Sequence, residues 1–186
     1  MLLFALAAIA ATTATGRQTA NPSAVQCGGI LWRLKTLSDP ARMAVQLDPK
    51  PTTIEVIRAR PYPRPVPRRR RTAFQLQTWK VIGQVTAFKL DDGGLRLILY
   101  DANAYLQAVI PTPNCLDNSR ARKQIAAAWK SFVSDCGEPT RDWQPSGAII
   151  SLEGVGFWSQ RRERRGAAPN GAELHPVTGF RVIAGC

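Results

Sequence analysis

The sequence holds little that could bind a metal or run histidine chemistry. Its 186 residues include one histidine and four cysteines, and no two cysteines fall in a Cys-x-x-Cys spacing. That argues against a zinc site and against thioredoxin-like redox chemistry. Acidic residues are scarce: 13 Asp and Glu stand against 25 Lys and Arg, for a formal net charge of +12. No apolar run reaches the roughly 18 residues a membrane-spanning helix needs, which excludes a polytopic helical membrane protein. With 45% hydrophobic and 20% charged residues, the composition is that of a globular chain, and the length suits one domain plus additional sequence.

What is present begins with export. Residues 2–11 are apolar and are followed by small residues through Gly16. This is the pattern of a secretory signal peptide, with Ala14 at −3 and Gly16 at −1, although no basic residue precedes it. Residues 1–16 are therefore expected to be a signal peptide; the alternative is a short buried helix. The mature chain is expected to be secreted or periplasmic, with no transmembrane segment after processing. Four cysteines (Cys27, Cys115, Cys136 and Cys186) behind such a segment predict two disulfides, in any of three pairings.

Residues 17–72 read as an N-terminal extension and a Pro/Arg-rich linker. Residues 52–57 suit either one helical turn or a short strand. Pro61, Pro63, Pro65 and Pro67 then recur at every second position, which excludes a helix and a central strand and leaves an extended, polyproline-like segment.

From residue 73 the hydrophobic period is readable. Residues 74–90 form one long strand, with Trp79, Val81, Val85 and Ala87 on one face and Gly83 at a bend. Asp91-Asp92-Gly93-Gly94 is a hairpin turn. A second strand puts Leu95, Leu97 and Leu99 inward, and a third does the same with Ala104, Leu106, Ala108 and Ile110. The period then changes to 3.6, with Ala121, Ile125, Ala128, Trp129, Phe132 and Cys136 on one helical face, capped by Asp117, Asn118 or Ser119 and ended by Gly137 and Pro139. Strands over 148–158 and 174–183 follow. This order, β-β-β-α-β-β, predicts an all-β domain with one helix over 73–186: an OB-fold-like five-stranded barrel. The competing arrangement is an open α+β sheet.

Several stretches resemble a group of small secreted bacterial proteins. They are Cys27-Gly28, residues 35–39, Pro51-Thr52-Thr53-Ile54, residues 88–92, Leu97-Ile98-Leu99, residues 110–115, Gly154-Val155-Gly156-Phe157 and, most specifically, residues 168–177 with Pro169-Asn170-Gly171-Ala172-Glu173-Leu174-His175-Pro176. The resemblance implies export and a shared barrel-like fold, but no activity. It also implies a pairing: Cys27 and Cys115 lie in the shared part and are expected to bond to each other, leaving Cys136 for Cys186. The runs at residues 68–71 and 161–165 are departures from that group.

Three constellations are candidates for function. Glu173 and His175 project to one face of a strand and form an acid–base pair or a structural pair, the second being favoured because buried polar groups usually serve packing. Asp91-Asp92-Gly93 stands where thermonucleases of OB topology carry a calcium-binding aspartate, but Asp101, Arg96 and Glu153 do not align to such a site. A secreted hydrolase of that type is the alternative function. Arginines make up the third: Arg161, Arg162, Arg164 and Arg165 in the loop between strands four and five, Arg68, Arg69, Arg70 and Arg71 ahead of strand one, and Trp158 as a stacking aromatic. These predict an exported binding module attracting polyanions, nucleic acid or an anionic glycan, across the outer face of strands two and three. No cofactor or metal is expected.

Overall fold

A computed structural model of the chain describes residues 27–160 and 163–186. The expected signal peptide, Arg161 and Arg162 lie outside the described residues. The elements in chain order are α1 (Trp32–Lys35), β1 (Gln46–Pro51), α2 (Ile54–Arg58), β2 (Gln77–Asp91), β3 (Gly94–Asp101), β4 (Ala104–Pro111), α3 (Arg122–Cys136), the two-residue β5 (Gln144–Pro145), β6 (Ile149–Trp158) and β7 (Ala172–Ala184).

Strands β2, β3, β4, β7 and β6 follow one another around the sheet, and β6 returns to pair with β2. All these pairings are antiparallel except β4 with β7. A five-stranded closed barrel with this order, its third and fifth strands parallel and a helix between its third and fourth, is an OB-fold. Closure depends on β2 serving two neighbours. Its first half pairs with β6 and its second half with β3, and the handover comes at Gly83 and Gln84. Gly83 has the Ile54 side chain and the Tyr100 carbonyl within 3.2 Å of where a Cβ would stand. The register slips once more between Val85 and Ala87. This bulge changes the inward set: Phe88, and not Ala87, joins the core cluster.

Inside the barrel, Leu95, Leu97, Leu99, Leu106, Ala108 and Ile110 are fully buried, as the alternation predicts. Helix α3 packs on β7 and β4, burying Ile125, Ala128 and Phe132. Each large apolar side chain buried in this way contributes about 1.5–3 kcal/mol. The predicted capping residues do not cap α3. Its N-cap is Ala121, without a side-chain bond, and Ser119 Oγ instead accepts from Ala121 N at 3.2 Å. The C-terminal signal is as predicted: Gly137 takes φ 85°, a conformation that favours glycine.

The bonded cysteines are Cys27–Cys115 and Cys136–Cys186. The second bridge ties the end of α3 to the chain's last residue. Such bridges belong to chains that mature in an oxidising environment.

The segment ahead of the barrel is closely packed on it. Of the ambiguous residues 52–57, those from Ile54 on are helical and Thr53 is the extended N-cap, its Oγ1 accepting from Val56 N at 3.1 Å; Ile54 and Ile57 are fully buried in the core. Strand β1 adds to the sheet parallel to β2. It has no alternating apolar face and two prolines, so its pairing with β2 was not legible as a strand.

Candidate anion-binding surface

In an OB barrel the outward faces of the second and third strands, here β3 and β4, are the expected ligand surface. In this chain one end of that face is covered by the chain itself. Arg96, Ile98, Gln107, Glu173, His175 and Phe157 are all buried, although the alternation that puts Leu97, Leu106 and Leu174 in the core turns these outward. Two segments provide the cover. Gly166, in the loop between β6 and β7, presses against the Ile98 side chain so closely that a Cβ would overlap it. In the same loop the Arg165 carbonyl accepts from Gln107 Nε2 at 2.6 Å. From the N-terminal side, the Lys35 ammonium stands 5.6 Å from the centre of the Phe157 ring, and Trp32 packs against Gly93 of the β2–β3 turn. Ile98 and Val109, apolar residues on this outer face, are buried as well.

The covering arrangement is held by polar anchors. Arg70 donates from Nε to Asp39 Oδ2 at 2.9 Å and from Nη1 to the Gln75 carbonyl at 3.0 Å, and its Nη2 donates to the Leu34 carbonyl. Burial lowers its guanidinium from the ordinary value, against the opposing pull of Asp39. Asn170, from the Pro-Asn-Gly stretch, donates to the carbonyls of Ile57 and Arg60 at 2.9 Å each, while its Oδ1 accepts from Ala172 N. It thereby ties the loop to α2.

These anchors redistribute the predicted site. Arg70 is removed from any ligand surface: its side chain is 0% exposed in the Asp39 pair. Trp158 is removed as well. It is buried against Phe74, ring centres 4.8 Å apart, and its Nε1 donates to Thr72 Oγ1 at 3.0 Å, so neither ring face is open to a base. Arg68, Arg69 and Arg71 are exposed, Arg164 is half-buried and Arg165 is exposed.

Several exposed arginines lie near aromatics outside the predicted site. Arg68 and Arg69 line one cavity of about 650 Å³ with Arg33 and the half-buried Trp32. Gly29 and Leu31 border this cavity on one side and, on the other, a smaller one lined by Lys35, Arg96 and Arg164. Further along the rim, Trp143 holds two cations against its ring, Lys89 at 5.2 Å and Arg165 at 5.1 Å. Trp32 and Trp143 could have been singled out by their neighbourhood of Gly, Arg and Asp, a composition that leaves a large aromatic without an assured core position.

The Asp91 turn is engaged in ion pairs. Arg96 Nε donates to Asp91 Oδ2 at 2.8 Å and Lys89 Nζ is 4.0 Å from Oδ1. Burial acts to raise the Asp91 carboxyl, but the Arg96 hydrogen bond and charge, the Asp92 amide and Lys89 outweigh it and hold the group below its ordinary value. Among the described residues no group of three His, Cys, Asp or Glu side chains is placed to hold a metal. Glu173 and His175 share a face as expected, but His175 Nδ1 and Glu173 Oε2 are 4.0 Å apart, too far for a hydrogen bond. Both ring nitrogens are buried without partners among the described residues. His175 is thus not the hydrogen-bonded clasp that a structural pair would make; what contacts its ring is Phe157, at 5.6 Å.

No family model and no curated protein matches the chain. Solved structures that resemble it include an asparaginyl-tRNA synthetase of Entamoeba histolytica, at 13% identity over 74% of this chain and 24% of that one, with a TM-score of 0.41. The asparaginyl-tRNA synthetase of Pyrococcus horikoshii is 17% identical over 59% of this chain and 20% of its own, at a TM-score of 0.35. The Stn1-ten1 complex of S. pombe is 14% identical over 57% of each chain, at 0.34. This chain therefore spans only a part of each. At such values the likeness carries nothing about ligand or site residues.

Proposed function

We propose that the protein is an exported binding module for polyanions, using the arginine-rich rim beside the covered end of the barrel and not the outer face of β3 and β4. The observation that carries this reading is the cavity that Arg33, Arg68 and Arg69 line together with Trp32. Guanidinium groups take phosphate or carboxylate in two-pronged fashion, and a half-open indole beside them offers a stacking surface. The net charge of +12 favours encounter with any polyanion. Export rests on the apolar N-terminal run, on the resemblance to secreted bacterial proteins and on the two disulfides.

Binding of this kind is sequence-tolerant, because arginine–phosphate contacts position a strand without reading its bases. Fluorescence anisotropy with a labelled single-stranded DNA and a labelled sulfated glycan tests it. Affinity is expected to fall by about 10³ or more between about 50 and 200 mM salt if six or more phosphates are engaged. A nucleic-acid ligand gives a preference for the single strand, and a glycan ligand the reverse. Failure to bind either at the lower salt overturns the reading. Turnover of the labelled strand in calcium would instead support the hydrolase alternative.

A further inference from the structure

The smaller cavity, about 260 Å³, has a different character from the arginine pocket. Among the described residues its charges balance: Lys35, Arg96 and Arg164 line it together with Asp91, Asp92 and Glu173. A polyanion has no advantage there. Its size falls below the ~300–1,000 Å³ of pockets for drug-sized ligands.

Two of its charged groups are incompletely partnered. Glu173 is 3% exposed, yet its carboxylate accepts no hydrogen bond from the described residues, and the His175 Nδ1 beside it, at 4.0 Å, is too far for one. Arg96 is 7% exposed. Its Nε is held by Asp91 and its Nη1 by Gln107 Oε1 at 2.7 Å, which leaves Nη2 without a partner among the described residues. Arg96 and Glu173 do not pair with each other: Arg96 is paired with Asp91, and Glu173 stands near the His175 ring, which burial keeps from taking up a proton. Both groups line a cavity that is polar and large enough to admit a partner. What completes both groups at once is a small molecule with a cation at one end and an anion at the other.

We propose that this cavity binds a small zwitterion of the α-amino-acid class, its ammonium on Glu173 and its carboxylate on Arg96 Nη2 and Lys35. Phe157, under the Lys35 ammonium, gives the site an apolar wall for a side chain. The site is independent of the polyanion reading, and its occupancy is expected to resist the salt that abolishes rim binding.

Isothermal titration of the oxidised protein with the free amino acids, one at a time, tests this. At least one is expected to bind saturably, and its amide (ammonium only) and its N-acetyl derivative (carboxylate only) to bind at least about ten-fold more weakly. Glu173→Gln is expected to abolish binding, and Lys35→Met to weaken it, with circular dichroism confirming that each variant is folded. Should Glu173→Gln fail to fold, Lys35→Met and the two blocked derivatives still decide. Absence of saturation by every amino acid up to about 10 mM, or equal binding of the N-acetyl derivative, overturns the proposal.

Discussion

Arg70 donates its Nε to the carboxylate of Asp39, 31 positions earlier in the chain, at 2.9 Å and almost wholly out of contact with solvent. This pair joins the proline–arginine segment to the N-terminal arm that lies over the barrel.

Breaking it is expected to be expensive. Asp39→Ala leaves the Arg70 guanidinium buried without its counter-ion, and a loss of about 3–5 kcal/mol is expected. Arg68→Ala, on an exposed neighbour in the same run, should change stability by no more than about 0.5 kcal/mol. Urea denaturation of the two variants beside the parent measures both. Equal effects would show that Arg70 carries no special share of the packing.

His175 predicts an acid-sensitive fold. Burial, and after it the positive charges of Lys35, Arg96 and Arg70, push its imidazole well below the ordinary 6.5. Above that value neither the folded nor the unfolded chain binds the proton. Below it the unfolded chain takes the proton up and the folded chain does not, so stability falls as pH falls, with a slope approaching about 1.4 kcal/mol per pH unit. Urea melts at pH 7, 6 and 5 measure this. His175→Ala is expected to be less stable at pH 7, through lost packing on Phe157, but to show a shallower decline towards pH 5 than the parent. A parent protein that gains stability on acidification would contradict the assignment.

Gly156 sits where the Phe74 carbonyl leaves no room for a Cβ. Gly156→Ala must displace either β6 or the entry to β2, and an overpacking cost of about 1–3 kcal/mol is expected. Gly147→Ala, where the nearest side-chain atom is 3.9 Å from the added carbon, is the control. Thermal melts of the two variants should separate clearly.

The rim also makes a prediction about which side chains carry affinity. Trp32→Ala is expected to weaken single-strand binding by about 1–3 kcal/mol if a base stacks on the ring. Replacing Arg33, Arg68 and Arg69 by Ser should flatten the salt dependence while leaving the melting temperature nearly unchanged, since exposed charges add little to stability. Trp158→Phe, a change in the buried ring, should leave affinity unaltered. Anisotropy titrations at several salt concentrations distinguish the three.

Much of the fold could be read from the chain because it rests on local periodicity. Leu95, Leu97 and Leu99 alternate with Arg96, Ile98 and Tyr100, which defines a strand with one buried face. Ile125, Ala128 and Phe132 recur at helical spacing, and Gly137 marks where the helix must stop. A strand interrupted by Gly83 can serve two neighbours, and the barrel follows from that. The disulfide pairing came from the resemblance to secreted relatives, and the cysteine pattern alone left three pairings open.

Other features depend on contacts between residues far apart in sequence, for which no periodicity exists. Arg68, Arg69, Arg70 and Arg71 are chemically identical, and nothing local distinguishes the one that Asp39 buries from those left in solvent. Trp158 at the end of β6 looks like any exposed loop aromatic until Phe74 and Thr72 close over it. Glu173 and His175 share one face of β7, which suggests a structural pair but gives no sign of what encloses that face. Only the arm over 28–35 and the loop after β6, folding back across the barrel, turn that outward face into a second interior and bring the Glu173 carboxylate and the Arg96 guanidinium to the wall of one cavity. Local pattern thus determined which face of each strand is apolar, while tertiary packing alone decided what lies against the opposite face, because that cover comes from segments whose own sequences have no repeating character.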